Sequence, residues 1–136
     1  FVKDWIIKVR NDVPDAPVLV TAGGLLHYFE ENKVISLLRM IGQSGNMEVV
    51  FDTVNKKGMA MMQKKYMKQV GHADAQMFFY VDAAKELAAK IRGNVKVIAE
   101  EPYYRYIPKN GLKLSTKVSM AVSDQFKMVK MIHLKL

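Results

Sequence analysis

The chain has 136 residues, half of them hydrophobic and a quarter charged, so it can bury a core in one domain and is too apolar to remain disordered. It contains no cysteine, which excludes a disulfide framework and a thiolate metal site. A formal charge of +8 invites a nucleic-acid reading, yet the lysines, from Lys56-Lys57 and Lys64-Lys65 to Lys117, Lys127 and Lys130, are scattered as on a solvated surface, with an acidic substrate or partner as the other use.

Residues 1–10 place Val2, Trp5, Ile6 and Val9 at helical spacing, one face of a short helix. Pro14 and Pro17, with Asn11, Asp12 and Asp15, end it. Val18, Leu19 and Val20 follow as an unalternated apolar strand, the pattern of a strand covered on both faces. After Gly23 and Gly24, residues 30–41 put Val34, Leu38 and Ile41 on one stripe, and Glu30 and Glu31 suit the positive end of a helix dipole. The helix ends at Gly42 and residues 43–46 are a loop. Residues 47–54 are a second strand, rich in β-branched and aromatic residues, so the two strands and the helix between them read as a right-handed βαβ unit.

Residues 56–70 are helical by period, with Met59, Met62, Tyr66 and Val70 on one side, and residues 71–74, which include His72, interrupt it. Asp82 is placed to cap a helix that runs to Arg92, buries Ala84, Leu87, Ala88 and Ile91, and stops at Gly93. Residues 95–98 are a short third strand, and residues 100–108 an aromatic and charged connection without regular pattern. Leu114, Val118, Ala121 and Val122 predict another amphipathic helix. In residues 127–136, the last strand, Val129 and Met131 face one way, Ile132 and Leu134 the other. Four strands with intervening helices make an α/β protein.

An apolar strand that ends in Gly-Gly and turns into a helix is how an open α/β sheet offers its backbone to a ligand at the carboxyl edge. No glycine-rich phosphate fingerprint accompanies it, and the first residue is Phe1 rather than Met, so half of a site is expected.

In order, Trp5, then Pro17-Val-Leu-Val-Thr-Ala-Gly-Gly-Leu-Leu-His-Tyr-Phe29, Val49-Val-Phe-Asp52, Tyr106-Ile-Pro-Lys-Asn-Gly-Leu112 and Lys127-Met-Val-Lys-Met-Ile-His-Leu134 span nearly the whole chain. Together they resemble the S-adenosylmethionine-dependent O-methyltransferases of the leucine carboxyl methyltransferase and tetracenomycin polyketide group. The resemblance implies a seven-stranded Rossmann-like sheet whose last strand is antiparallel, with the cofactor across the carboxyl ends of its first, second and fourth strands. Residues 18–20, 47–54, 95–98 and 127–134 would then be strands four to seven, and residues 1–136 the carboxyl-terminal half of the domain. The amino-terminal cofactor-binding half, with its glycine-rich turn and ribose-binding acid, would be absent. That would leave residues 18–20 a central strand without its neighbour, its open edge covered by the missing half or by a second copy of the chain.

The resemblance places Thr21, Ala22 and Gly23 against the cofactor, S-adenosylmethionine, where small residues allow close approach to the backbone. Relatives often carry an acidic residue in this segment and this chain does not, so backbone contacts are what it offers. The alternative is that Gly23-Gly24 merely permits a sharp turn into the helix. His27 is a candidate base toward a small-molecule hydroxyl, a pocket-lining group or a structural residue, while a carboxyl acceptor needs no base. Asp52 either binds the acceptor or caps the next segment. Tyr28, Met62 and Tyr103 are candidate acceptor contacts, against a competing reading of the methionines, Phe78, Phe79 and the tyrosines as packing. Arg105 among Tyr103, Tyr104 and Tyr106 lacks the basic groove that base stacking needs. His27, His72 and His133 show no metal-ligand spacing.

The function this implies is methyl transfer to a small-molecule hydroxyl or carboxyl, the fragment alone being inactive. Another class remains open: a complete small basic α/β module that binds nucleotide, nucleic acid or an acidic partner. A degenerate, non-catalytic relative is a third. Charges interrupt every apolar run, so no membrane partner and a cytoplasmic location are expected.

Overall fold

The computed structural model describes residues 2–70 and 76–136, and of Val2 and residues 66–70 the backbone alone. The elements in order are α1 (Val2–Asp12), β1 (Val18–Ala22), a 3-10 turn (Leu26–Tyr28), α2 (Glu31–Gln43), β2 (Met47–Val54), α3 (Lys56–Val70), α4 (Ala84–Ile91), β3 (Lys96–Pro102), α5 (Leu114–Gln125) and β4 (Val129–Lys135). His72 lies outside the described residues.

The four strands form one open sheet in the order β1-β2-β4-β3. β1 and β2 are parallel, as strands joined by a helical crossover must be, with Val18 beside Met47 and Ala22 beside Phe51. β4 enters between β2 and β3 and is antiparallel to both. The carboxyl ends of β1, β2 and β3 therefore share one edge, where β4 begins.

One face of the sheet carries the main core. Val49, Phe51, Ile132 and Leu134 pack there against Val34 and Leu38 of α2 and Ala84, Leu87 and Ile91 of α4, the stripes the helical spacing predicts. Phe79 joins them, its ring 6.5 Å from that of Phe51. Arg39 reaches from α2 to the carbonyls of Ile91 (2.9 Å) and Lys90 (2.6 Å), which pairs the last carbonyls of α4. Arg10 donates to Val13, Ala16, Gly45 and Asn46, and so ties the connection before β1 to the one before β2. Asn55 accepts the N–H of Gly58 at 2.8 Å, a side-chain cap on α3.

Four expectations are corrected. β1 stands at the edge of the sheet, as the half-sheet reading expects, but is not covered on both faces: Leu19 is 55% exposed, and only the face bearing Val18, Val20 and Ala22 is covered. An apolar run does not distinguish a strand with covered faces from one that awaits cover. β3 continues through Glu100, Glu101 and Pro102, because β4 pairs with it that far. Asp82 does not cap α4. Its carboxylate accepts the N–H of Lys56 at 3.0 Å, and Glu100 from β3 accepts that of Ala84 at 3.1 Å. The expected stripe of α5 is turned outward, and only Met120 is fully buried on that helix.

Among the described residues, no helix is long and apolar enough to cross a membrane.

Candidate functional site

At the carboxyl edge, β1 delivers Thr21 and Ala22 and the chain bends at Gly23 and Gly24. Gly24 has φ +63°, a conformation that suits glycine, and no atom lies within 4 Å of where a Cβ on either glycine would sit. The bend is held from the neighbouring strand, where Asp52 Oδ1 accepts the N–H of Gly24 at 2.7 Å. Asp52 thus secures the turn before α2 rather than the segment that follows it.

His27 sits in the 3-10 turn just beyond. Its carbonyl accepts the N–H groups of Phe78 (2.8 Å) and Phe79 (3.3 Å), and its ring lies 4.3 Å from that of Tyr28, tilted by 52°. The residue is 8% exposed. Burial lowers the imidazole pKa below its ordinary 6.5, and the charge of Asp52 opposes part of that shift. A neutral imidazole near pH 7 can accept a proton. Tyr28 is more open to solvent.

Beside these residues lies a groove of about 620 Å³, walled by Thr21 and Ala22 with Trp5, Leu25, Phe29 and Leu37. Its size falls in the range of small-molecule sites, and its lining is largely apolar.

The other two candidates lie apart. Met62 packs with Val54, Met59 and Met77 in a small core beneath α3. Tyr103 follows β3, its ring edge-on to Tyr104 at 5.1 Å and its N–H on the carbonyl of Val129 at 3.0 Å. β3 stands three strands from β1, roughly 14 Å at ordinary strand spacing. The structure therefore gathers Thr21, Ala22, Gly23, His27, Tyr28 and Asp52 at one end of the edge, and Tyr103 at the other. Arg105 is engaged locally, with Glu101 at 2.7 Å and over the ring of Tyr106.

Sequence reading also missed a buried lysine. Lys130 is 1% exposed, and its Nζ donates to Glu100 Oε1 at 2.7 Å and to the carbonyl of Asp82 at 2.8 Å. With the Asp82–Lys56 and Glu100–Ala84 bonds, it fastens the starts of α3 and α4 to the sheet. The signal was present in the alternation that puts Lys130 on the face of Ile132 and Leu134. Among the described residues, no group of three or more His, Asp or Glu side chains is placed to hold a metal ion.

The fold and edge define an open, mixed α/β sheet consistent with a Rossmann-like domain. No protein-family model matches the chain, and no curated protein does. Among solved structures, it is similar to a DUF574 family protein from Streptomyces avermitilis MA-4680, with a TM-score of 0.58 at 10% sequence identity. That likeness covers 99% of this chain and 52% of the other, so the chain spans about half the length of its structural neighbour.

Proposed function

We propose that the chain is the carboxyl-terminal half of a Rossmann-like, S-adenosylmethionine-dependent O-methyltransferase acting on a small-molecule hydroxyl or carboxyl group. In this reading β1, β2, β3 and β4 correspond to strands four, five, six and seven. One observation carries it: the last strand of the chain enters antiparallel between β2 and β3, and an antiparallel last strand is what the sequence resemblance implies. The half-length match to a structural neighbour supports it further.

The residues fit one wall of a cofactor site. Gly23 leaves open space at the strand end, and the exposed Thr21 and the half-buried Ala22 bring a hydroxyl and bare backbone to it. When bound, S-adenosylmethionine supplies an electrophilic methyl group. Neutral His27 accepts the proton of a hydroxyl acceptor at a ring nitrogen. Asp52 holds the turn that positions both, and Tyr28 contacts the acceptor. For a carboxylate acceptor no proton need move, and orientation does the work.

The second wall belongs to strands that this chain does not supply, so the open edge of β1 takes up the missing half or a second copy. Isothermal titration of the 136-residue chain with S-adenosylmethionine should show weak or no binding. Micromolar affinity would place the whole cofactor pocket within these residues and overturn the half-site reading.

A further inference from the structure

Helix α5 has its amphipathicity reversed. Met120 is buried, Ser123 and Asp124 are half-buried, and the Asp124 carboxylate accepts the N–H of Tyr104 at 3.1 Å. The apolar side chains point away from the body. Leu114, Val118, Val122 and, just beyond the helix, Phe126 are 76%, 53%, 44% and 55% exposed. Spaced four apart, they run along one side.

Basic residues border this stripe. Lys113 immediately precedes Leu114, Lys117 lies one turn further on beside it, and Lys127 follows Phe126, all three exposed and in no ion pair among the described residues. Asp124 is the only acid between residues 113 and 127, and it is already engaged. The outward surface thus joins an apolar stripe to positive charge at both of its ends.

Against the expectation of no membrane partner, which rested on spanning segments alone, we propose that α5 docks on an anionic membrane surface, with the stripe inserted at the boundary of headgroups and acyl chains and the lysines against acidic headgroups. Other occupants fit less well. Two copies packed antiparallel about Met120 would oppose Leu114 to Phe126 and Val118 to Val122, but would also bring Lys113 of one copy beside Lys127 of the other. A 12-residue helix is also only about 18 Å long, too little for the ~800 Å² per partner of a stable interface. Nucleic acid would take the lysines at its phosphates and leave the apolar stripe in water. A bilayer satisfies both, and an in-plane helix needs an apolar side rather than the length of a spanning one.

The test is cosedimentation of the chain with phosphatidylcholine vesicles, with and without phosphatidylserine. Association with the phosphatidylserine vesicles alone is expected, falling between about 50 and 200 mM salt as headgroup attraction is screened. The charge-preserving pair Leu114→Gln/Val118→Gln should weaken it at least roughly tenfold, because two exposed apolar side chains no longer insert. Lys113→Gln/Lys117→Gln should weaken it by roughly thirtyfold through charge. Circular dichroism reports whether each variant keeps its helices. No association with the anionic vesicles overturns the proposal, and so does undiminished association of Leu114→Gln/Val118→Gln, which would assign it to general positive charge. A dimer in sedimentation equilibrium that Val118→Gln dissociates, without vesicle binding, would give the stripe to a second copy. None of these outcomes depends on methyl transfer.

Discussion

The carboxylate of Asp52 holds the backbone N–H of Gly24 across two strands, at 2.7 Å. The bond fixes a turn at φ +63° that bears the candidate site. Asp52→Ala should cost about 1–2 kcal/mol, the usual contribution of a hydrogen bond to a charged acceptor at a partly open position, and Asp52→Asn less, because an amide oxygen can still accept. Urea denaturation of the two variants measures this. Equal losses would mean that the bond contributes nothing particular.

His27 gives the site a pH signature. Its folded pKa lies below 6.5 because burial disfavours the imidazolium. The unfolded chain therefore binds more protons in the window between the folded value and 6.5, and stability rises with pH through that window. The contribution is complete above 6.5 and is lost as pH falls toward the folded value. NMR titration of the His27 ring should give a midpoint below 6.5, and Asp52→Asn should lower it further by removing the opposing charge. A midpoint at or above 6.5 would contradict the burial argument.

Lys130 tests whether a buried ion pair organises the starts of α3 and α4. Lys130→Ala removes the cation from between Glu100 and the Asp82 carbonyl and should cost about 3 kcal/mol, the loss expected when a buried pair is broken. Lys130→Met keeps the stem in the core and should cost less. Hydrogen exchange at Ala84 and Lys56, whose N–H groups bond to Glu100 and Asp82, should accelerate in both variants. Unchanged protection there would show that the network does not hold these helix starts.

Two glycines separate packing from mere permissiveness. A Cβ on Gly58 would lie 2.4 Å from the carbonyl oxygen of Met128, where neither backbone can yield cheaply, so Gly58→Ala should cost more than about 2 kcal/mol. Gly93 has nothing within 4 Å, and Gly93→Ala should stay within about 0.5 kcal/mol. Thermal melts of the pair decide it: similar melting temperatures would mean that α3 is not seated against the start of β4 in solution.

The sequence by itself determined the elements whose hydrophobic pattern is local. The stripe of Val34, Leu38 and Ile41, that of Ala84, Leu87, Ala88 and Ile91, and the eight residues of β2 were legible because period and burial coincide there. The gathering of Thr21, His27 and Asp52 at one edge was also foreseeable, since each follows or ends a strand that points the same way.

Tertiary structure alone decided what depends on partners distant in sequence. Leu19 of β1 is left exposed, although its apolar run resembles that of a strand covered on both faces. Glu100 joins β3 only because β4 pairs alongside it, and from there it caps α4 and neutralises Lys130. Tyr103 is carried three strands from the candidate site by the strand order β1-β2-β4-β3. Helix α5 turns its apolar side outward because Met120 and the Asp124–Tyr104 bond fix its rotation. A hydrophobic period states that a side chain should be covered. The packing of the remaining elements determines whether this chain provides the cover.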